Sequence, residues 1–371
     1  MRATKSPSSL VLGLAVFSVF FGAGNMIYPL HVGALLSDAW GMSVVGFLFS
    51  AVGFPFFAIC VIYSFRGNLE SVLRSLGSRF RVPLLLLLCT VWIPLGAGPR
   101  CITMTVGSLE MFGLRGPPGL LSVVYSLLVM GLTWRRRQGL TWLGVILMPI
   151  LLLSLLVLVL RGMWLMGPLP EGAFQGHGSR AFLSGLLEGC HTMDLFAALF
   201  FSTAALPLFQ RNSLSLFSLP QFIKGGLGAL VMLGIVYLGL MILAVNYGGQ
   251  LQLVPQEKGL AFLASTFLVG PLGWMALGAI VLACLTMSVA LTRVYADYIY
   301  TYVIGSFAWG SYRVAVVITI ASCWVLSLLG FRGMTWILTP LLKGLYPLML
   351  GLLLLAAIRS MWNLQMKRGR L

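Results

Sequence analysis

The feature that most constrains this chain is the recurrence, from one end to the other, of apolar runs of about 18 or more residues. Each such run is long enough to cross roughly 30 Å of hydrocarbon as an α-helix. Of the 371 residues, 59% are hydrophobic and only 9% are charged, at a mean hydropathy of +1.00. That leaves too little polar surface to cover a soluble fold of this size. A soluble α/β protein with buried strands would show shorter runs separated by polar helix faces. The pattern predicts an all-α integral membrane protein.

Clusters of Pro, Gly and charge punctuate the runs, as at Arg115-Gly116-Pro117-Pro118 and Gly167-Pro168-Leu169-Pro170. Ten spans follow, over about 9–30, 42–64, 82–109, 118–134, 139–160, 182–209, 226–247, 267–303, 313–331 and 336–358. The first run lies behind Arg2 and Lys5, as a secretory signal would. No cleavage site followed by a soluble domain accompanies it, so it is read as a span. The six cysteines (Cys60, Cys89, Cys101, Cys190, Cys284 and Cys323) lie in or beside apolar runs without metal-ligand spacing. They are expected to act as small apolar residues, with neither a disulfide framework nor a zinc site.

The net charge of +16 would suggest nucleic acid in a soluble protein. Here the basic residues sort by side. Sixteen of the 24, among them Arg2, Lys5, Arg66, Arg135, Arg136, Arg137 and Arg368, fall on the side of the termini, and five fall on the other. That excess places both termini in the cytoplasm and points to lipid headgroups, with no call for nucleic acid.

Unpaired backbone is costly in hydrocarbon, so an interrupted span marks a buried or cavity-lining segment. The first span reads FFGAGNMIYP at 20–29. Gly22 and Gly24 flank Ala23, Asn25 is polar, and Pro29 follows. A helix-packing face would explain the glycines but not Asn25. A break here would expose carbonyls to a cation and amides to a carboxylate. The sixth span reads GLLEGCHTMDLFAAL at 185–199, bringing Cys190, His191, Thr192, Met193 and Asp194 together. Ionisable groups inside a span are expensive and tend to be functional, Asp194 above all. Glu188 and His191 have the alternative of a wet interface.

In the eighth span, Thr286 and Ser288 lie mid-membrane. Hydroxyl and carbonyl oxygens suit a hard cation. Bonding to the helix's own carbonyls is the competing role, and the segment alone does not choose. Arg293 and Asp297 share a face at spacing four, as a gating pair or an intrahelical ion pair. Arg100 either faces the pathway or snorkels to the interface. Lys343 is a candidate internal cation in the tenth span.

Two interrupted spans five apart imply two five-span repeats of opposite topology, about 9–160 and 182–358, with a binding site at the midplane. An enzyme is not expected. His31, His177 and His191 form no metal set, and no intramembrane Ser or Cys has an identifiable base.

The segment FFGAGNMIYPLHVG (20–33) resembles the first-span motif of the branched-chain amino acid:cation symporters, the BrnQ or LIVCS family. GAGPRCITMT (96–105) is similar to that family's Pro-Arg motif in the third span. HTMDLFAALFF (191–201), ACLTMSVALT (283–292) and LYPLML (345–350) match its sixth, eighth and tenth spans. The resemblance covers most of the chain. It implies the LeuT-type fold of the amino acid–polyamine–cation superfamily and a multi-pass protein of the bacterial inner membrane. It further implies import of Leu, Ile or Val with Na+ or H+, and no other cofactor. An uncoupled, differently specific or channel-like protein of the same fold is the alternative. Residues Gly22, Ala23, Gly24 and Asn25, with Cys190 to Asp194 and Arg100, would then surround the substrate. Ser18, Phe21, Ala283, Thr286 and Ser288 would supply the ion site. The chain departs from the family at Met287, where a second hydroxyl is expected, and at Lys343, where a neutral residue is expected.

Overall fold

The computed structural model describes residue 17 and residues 21–35, 39–65, 68–73, 78–114, 116–134, 141–165, 167–169, 178–200, 219–268, 270–307 and 311–368. Each of the ten predicted spans meets helix within these residues, and no strand occurs among them. The first span is helical at Phe17, non-helical at Phe21 and Gly22, and helical again as α1 (Ala23–Leu35). The second comprises α2 (Trp40–Leu48) and α3 (Phe54–Ser64), joined through a π-helical turn, Phe49–Gly53. The short α4 (Leu69–Leu73) follows. The third comprises α5 (Ser78–Trp92) and α6 (Gly98–Met111), joined through a second π turn, Ile93–Ala97. Then come α7 (Pro118–Thr133) and α8 (Thr141–Leu165).

The sixth span is α9 (Gly178–His191), a break at Thr192 and Met193, and α10 (194–200). The remaining spans are α11 (Leu219–Asn246), α14 (Pro271–Tyr302), α15 (Tyr312–Ser327) and α16 (Gly330–Arg368). Between α11 and α14 lie α12 (Gly248–Leu251), a 3₁₀ turn (Gln256–Lys258) and α13 (Gly259–Phe267), none of them predicted. These elements are too short to cross a bilayer, so a search for long apolar runs passes over them. The tenth span is also longer than the predicted 336–358. Thr335 and Thr339 bond back to the carbonyls of Phe331 and Thr335, which keeps their hydroxyls satisfied inside a long helix.

Small residues set how the helices meet. A Cβ on Gly185 would overlap the carbonyl of Ser43, one on Gly46 the carbonyl of Phe182, and one on Gly189 the Ser50 hydroxyl. The backbones of α2 and α9 therefore touch directly, the close approach that small residues permit between membrane helices. Gly33 does the same for α1 against Met241 of α11. These contacts assemble one bundle from the first, second, sixth and seventh spans. A second group is α14 packed against α6, α8 and α15, with α15 against α7. The two π turns escaped the sequence reading, which treated both spans as regular helix. In the third span, Pro94 lacks an amide donor and Gly96 leaves room for the Met193 side chain, which a Cβ there would strike.

Candidate functional site

The two breaks meet each other. A Cβ on Gly24 would lie 3.3 Å from the Thr192 carbonyl oxygen and 3.4 Å from its Cα, so the interrupted segments abut backbone to backbone. An alanine at 24 would crowd this approach by a few tenths of an ångström. In the first break, the Gly22 N–H donates to Asn25 Oδ1 at 3.2 Å, and the Asn25 N–H donates to the Gly22 carbonyl at 3.1 Å. In the second, the Thr192 hydroxyl donates to the Gly189 carbonyl at 2.8 Å and accepts from the Asp194 N–H at 3.4 Å. Met193 takes a left-handed conformation, φ 61°. A side chain other than Gly, Asn or Asp pays roughly 1–2 kcal/mol there, and its complete burial against Gly96 holds it in place.

One polar ring joins the breaks. Asn25 Nδ2 donates to Asp194 Oδ1 at 2.9 Å and to the Tyr237 hydroxyl at 2.5 Å, and that hydroxyl donates to Asp194 Oδ2 at 2.6 Å. Asn25 is 2% exposed, Asp194 1% and Tyr237 0%. Each carboxylate oxygen thus meets a neutral donor at depth, which offsets part of its desolvation cost. Tyr237 was not among the sequence candidates. The one available signal was a phenol in the middle of the apolar stretch LGIVYLGL, a weak one because buried tyrosines are common in cores.

The site is closed on both sides. Toward the Leu35 end of α1, Arg100 lies across the mouth, 1% exposed. Its Nη1 donates to the His191 carbonyl at 2.7 Å, and its Cζ sits 4.8 Å from the centroid of Tyr28 and 5.8 Å from that of Phe331. It is buried rather than snorkelling, because its guanidinium is held by the C-terminal carbonyl of α9. The α11–α14 connection covers the same side. Lys258 pairs with Glu110 at 2.6 Å, and Gln252 Nε2 donates to the Ala34 carbonyl at 2.7 Å. Toward the opposite side, Trp92 stacks on Phe200 at 5.3 Å, and Phe200 meets Tyr298 edge-on at 5.4 Å.

The eighth-span candidates separate. Met287 faces the first break, its Cε 3.1 Å from where a Gly22 Cβ would stand. Ser288 points elsewhere. Its hydroxyl is 2.8 Å from that of Tyr125, in a small cavity of about 20 Å³ between α6, α7, α14 and α15. The grouping of Ser288 with Thr286 is therefore corrected: positions two apart on a helix lie on nearly opposite faces. Thr286 donates to the Ala283 carbonyl at 3.0 Å. Phe21 lies in the break itself, and Ser18 lies outside the described residues. Arg293 Nη2 donates to the Leu132 carbonyl at 3.2 Å, tying α14 to the end of α7, with Asp297 four residues further along α14. Lys343 occupies the exposed stripe of α16 with Pro340, Gly344 and Pro347, within electrostatic reach of His191 at the end of α9. Cys190 and His191 are both buried at the end of α9.

With this geometry in hand, comparison with known proteins is informative. A protein-family model described as branched-chain amino acid transport protein matches residues 5–369. The chain is 30% identical to the branched-chain amino acid transport system 3 carrier protein of Pseudomonas aeruginosa, over 98% of this chain and 83% of that protein. It is 29% identical to the branched-chain amino acid permease BrnQ of Salmonella typhimurium, over 97% and 82%. Among solved structures, it is similar to a Na+-coupled sialic acid symporter in a substrate-bound outward-open state, with TM-score 0.58 at 15% identity over 94% of this chain and 79% of that one. It is also similar to MhsT in complex with L-phenylalanine, with TM-score 0.53 at 16% identity over 90% and 81%. At such identities these likenesses speak to fold, and they establish the LeuT-type architecture with its first and sixth spans interrupted.

Proposed function

Because this chain belongs to the branched-chain amino acid transport protein family, we propose that it is a secondary transporter that imports leucine, isoleucine or valine with a coupling cation. The observation that carries this reading is the Asn25–Asp194–Tyr237 ring, a buried polar centre where two interrupted spans touch. Membrane helices are broken at depth where a polar solute must be held.

The amides opening α1 carry partial positive charge and suit the substrate carboxylate. Carbonyls ending α9 and the first half of the first span carry the opposite charge and suit the ammonium. Gly22, Ala23, Gly24 and Asn25 form one wall, and Cys190, His191, Thr192, Met193 and Asp194 the other. Phe21, Met193 and Met287 offer apolar surface to a branched side chain. Asp194 is the residue able to accept a proton if the coupling ion is H+.

For Na+, the donor set is the carbonyls of Phe21 and Ala283 with the Thr286 hydroxyl, together with Ser18. It is all oxygen, the chemistry a hard cation takes. The Ala283 carbonyl and Thr286 hydroxyl already lie 3.0 Å apart, close enough to share one ion. The fold neighbours that couple to Na+ support a cation as the driving partner. The positive-inside excess supports cytoplasmic termini, so that the Leu35 end of α1 faces outward. The bundle of the first, second, sixth and seventh spans would rock against the rest, opening the Arg100 side and the Trp92 side in turn.

The test is uptake of labelled leucine, isoleucine and valine into proteoliposomes under an inward Na+ gradient, an inward H+ gradient, or neither. Saturable uptake accelerated by one gradient is expected. Absence of uptake under all three conditions overturns the reading, and saturable uptake indifferent to both gradients removes the coupling.

A further inference from the structure

Arg100 carries a charge that no carboxylate contacts among the described residues. Its side chain is 1% exposed. Glu188, one turn back on α9, acts on the guanidinium from beyond ion-pair distance and lies 4.0 Å from His31 Nε2. One guanidinium nitrogen, Nη1, donates to the His191 carbonyl. The other two, Nε and Nη2, are buried without a hydrogen-bond partner, as is Nδ1 of the His191 ring beside them. The guanidinium lies against the faces of Tyr28 and Phe331, and the His191 ring stacks on Tyr28 at 5.4 Å.

A buried guanidinium is costly to desolvate unless its donors are filled and its charge is answered. The C-terminus of α9 answers about half an elementary charge through the His191 carbonyl. The aromatic faces add a modest cation–π attraction. Two donors on the same planar fork still point into protein without an acceptor. The ligand that fits two free N–H groups of one guanidinium is an anion with lone pairs set side by side, and a carboxylate matches the fork geometrically.

We propose that Arg100, with the His191 ring, forms an anion subsite on the Leu35 side of the breaks. It takes a small monovalent anion: the α-carboxylate of an amino acid entering the carrier, or an inorganic ion such as chloride when none is present. Tyr28 lies five residues along α1 from Ala23, about 7.5 Å at 1.5 Å per residue. The subsite therefore precedes the break on the way in, and an amino acid held there would present its carboxylate before its side chain reaches Met193. Identifying the anion as an amino acid rests on the transport reading; the existence of an anion site does not.

The experiment is thermal unfolding of the purified full chain in detergent at fixed ionic strength. Sodium chloride is compared with sodium 2-(N-morpholino)ethanesulfonate, whose anion is bulky and carries no carboxylate, each with leucine or with leucinol, which keeps the amine and lacks the carboxylate. Wild type is expected to gain stability from chloride over the bulky sulfonate, and in the sulfonate to bind leucine more tightly than leucinol. In Arg100→Gln the chloride gain is expected to vanish and the leucine-to-leucinol preference to fall by about tenfold. Should Arg100→Gln not yield folded protein, Arg100→Lys serves, since it keeps the charge and loses the fork. There a fall of several-fold in the same preference is expected. A chloride gain without an Arg100-dependent leucine preference assigns the subsite to the inorganic ion. Wild type indifferent to both anions, or variants with unchanged responses, overturns the subsite and leaves the free nitrogens to water. Failure of leucine uptake with an intact Arg100-dependent chloride response sinks the transport reading and spares the subsite.

Discussion

Asn25 Nδ2 donates to Asp194 Oδ1 at 2.9 Å, a single hydrogen bond that spans 169 positions of sequence and ties the interrupted first span to the interrupted sixth. Tyr237 closes the ring from the seventh span by donating to the other carboxylate oxygen. Three helices of one bundle thus depend on one buried carboxylate. Any movement that separates α1 from α10 must break these bonds or replace them with a ligand's.

Tyr237→Phe keeps the ring's shape and removes the hydroxyl from Asp194 Oδ2. Leaving a buried acceptor short of a donor costs about 1–3 kcal/mol. We expect folded protein, by size-exclusion profile, with leucine uptake reduced about tenfold or more in proteoliposomes. Wild-type uptake in this variant would remove Tyr237 from the working site.

Asp194→Asn removes the charge while retaining an oxygen acceptor. Concentrative uptake is expected to fall to background whichever gradient is applied. Uptake that still responds to a Na+ gradient would show that the carboxylate is dispensable to coupling.

Thr286→Ala and Ser288→Ala separate the two eighth-span hydroxyls. Thr286 lies by the Ala283 carbonyl, whereas Ser288 faces Tyr125. The Na+ concentration for half-maximal uptake is expected to rise about tenfold in the first, on the scale of one lost charge-assisted contact, and to stay within twofold in the second. Equal effects would contradict the division of roles.

Gly185→Ala places a methyl against the Ser43 carbonyl, where α2 and α9 touch. Overpacking of this kind costs typically about 1–3 kcal/mol, and here the obstacle is backbone, which cannot rotate away. A fall in unfolding temperature is expected. Lys343→Leu, on the exposed stripe of α16, should leave the unfolding temperature close to wild type. A wild-type unfolding temperature in Gly185→Ala would mean that the two helices are not locked together there.

Hydropathy alone determined that this is a membrane protein of about ten spans, because the length of an apolar run is a local property and the bilayer sets its scale. The interruptions, expected at Gly22–Asn25 and Cys190–Asp194 and found at Phe21–Gly22 and Thr192–Met193, were legible to within a few residues, since glycine, asparagine and aspartate in mid-span break the local rule for a lipid-facing helix. Which side chains those breaks would meet was not legible. Tyr237 enters the ring from a helix whose composition looks like any other core helix. Met287 rather than Ser288 faces Gly22, because the rotation of α14 about its axis is fixed by packing against α6, α8 and α15 and not by its own sequence. Lys343 fell on the exposed stripe of α16 for the same reason. Arg100 could be read two ways until the end of α9 was seen against it, since a carbonyl 91 positions away holds its guanidinium. Contacts between distant segments are set by the packing of whole helices, and only the tertiary structure decides them.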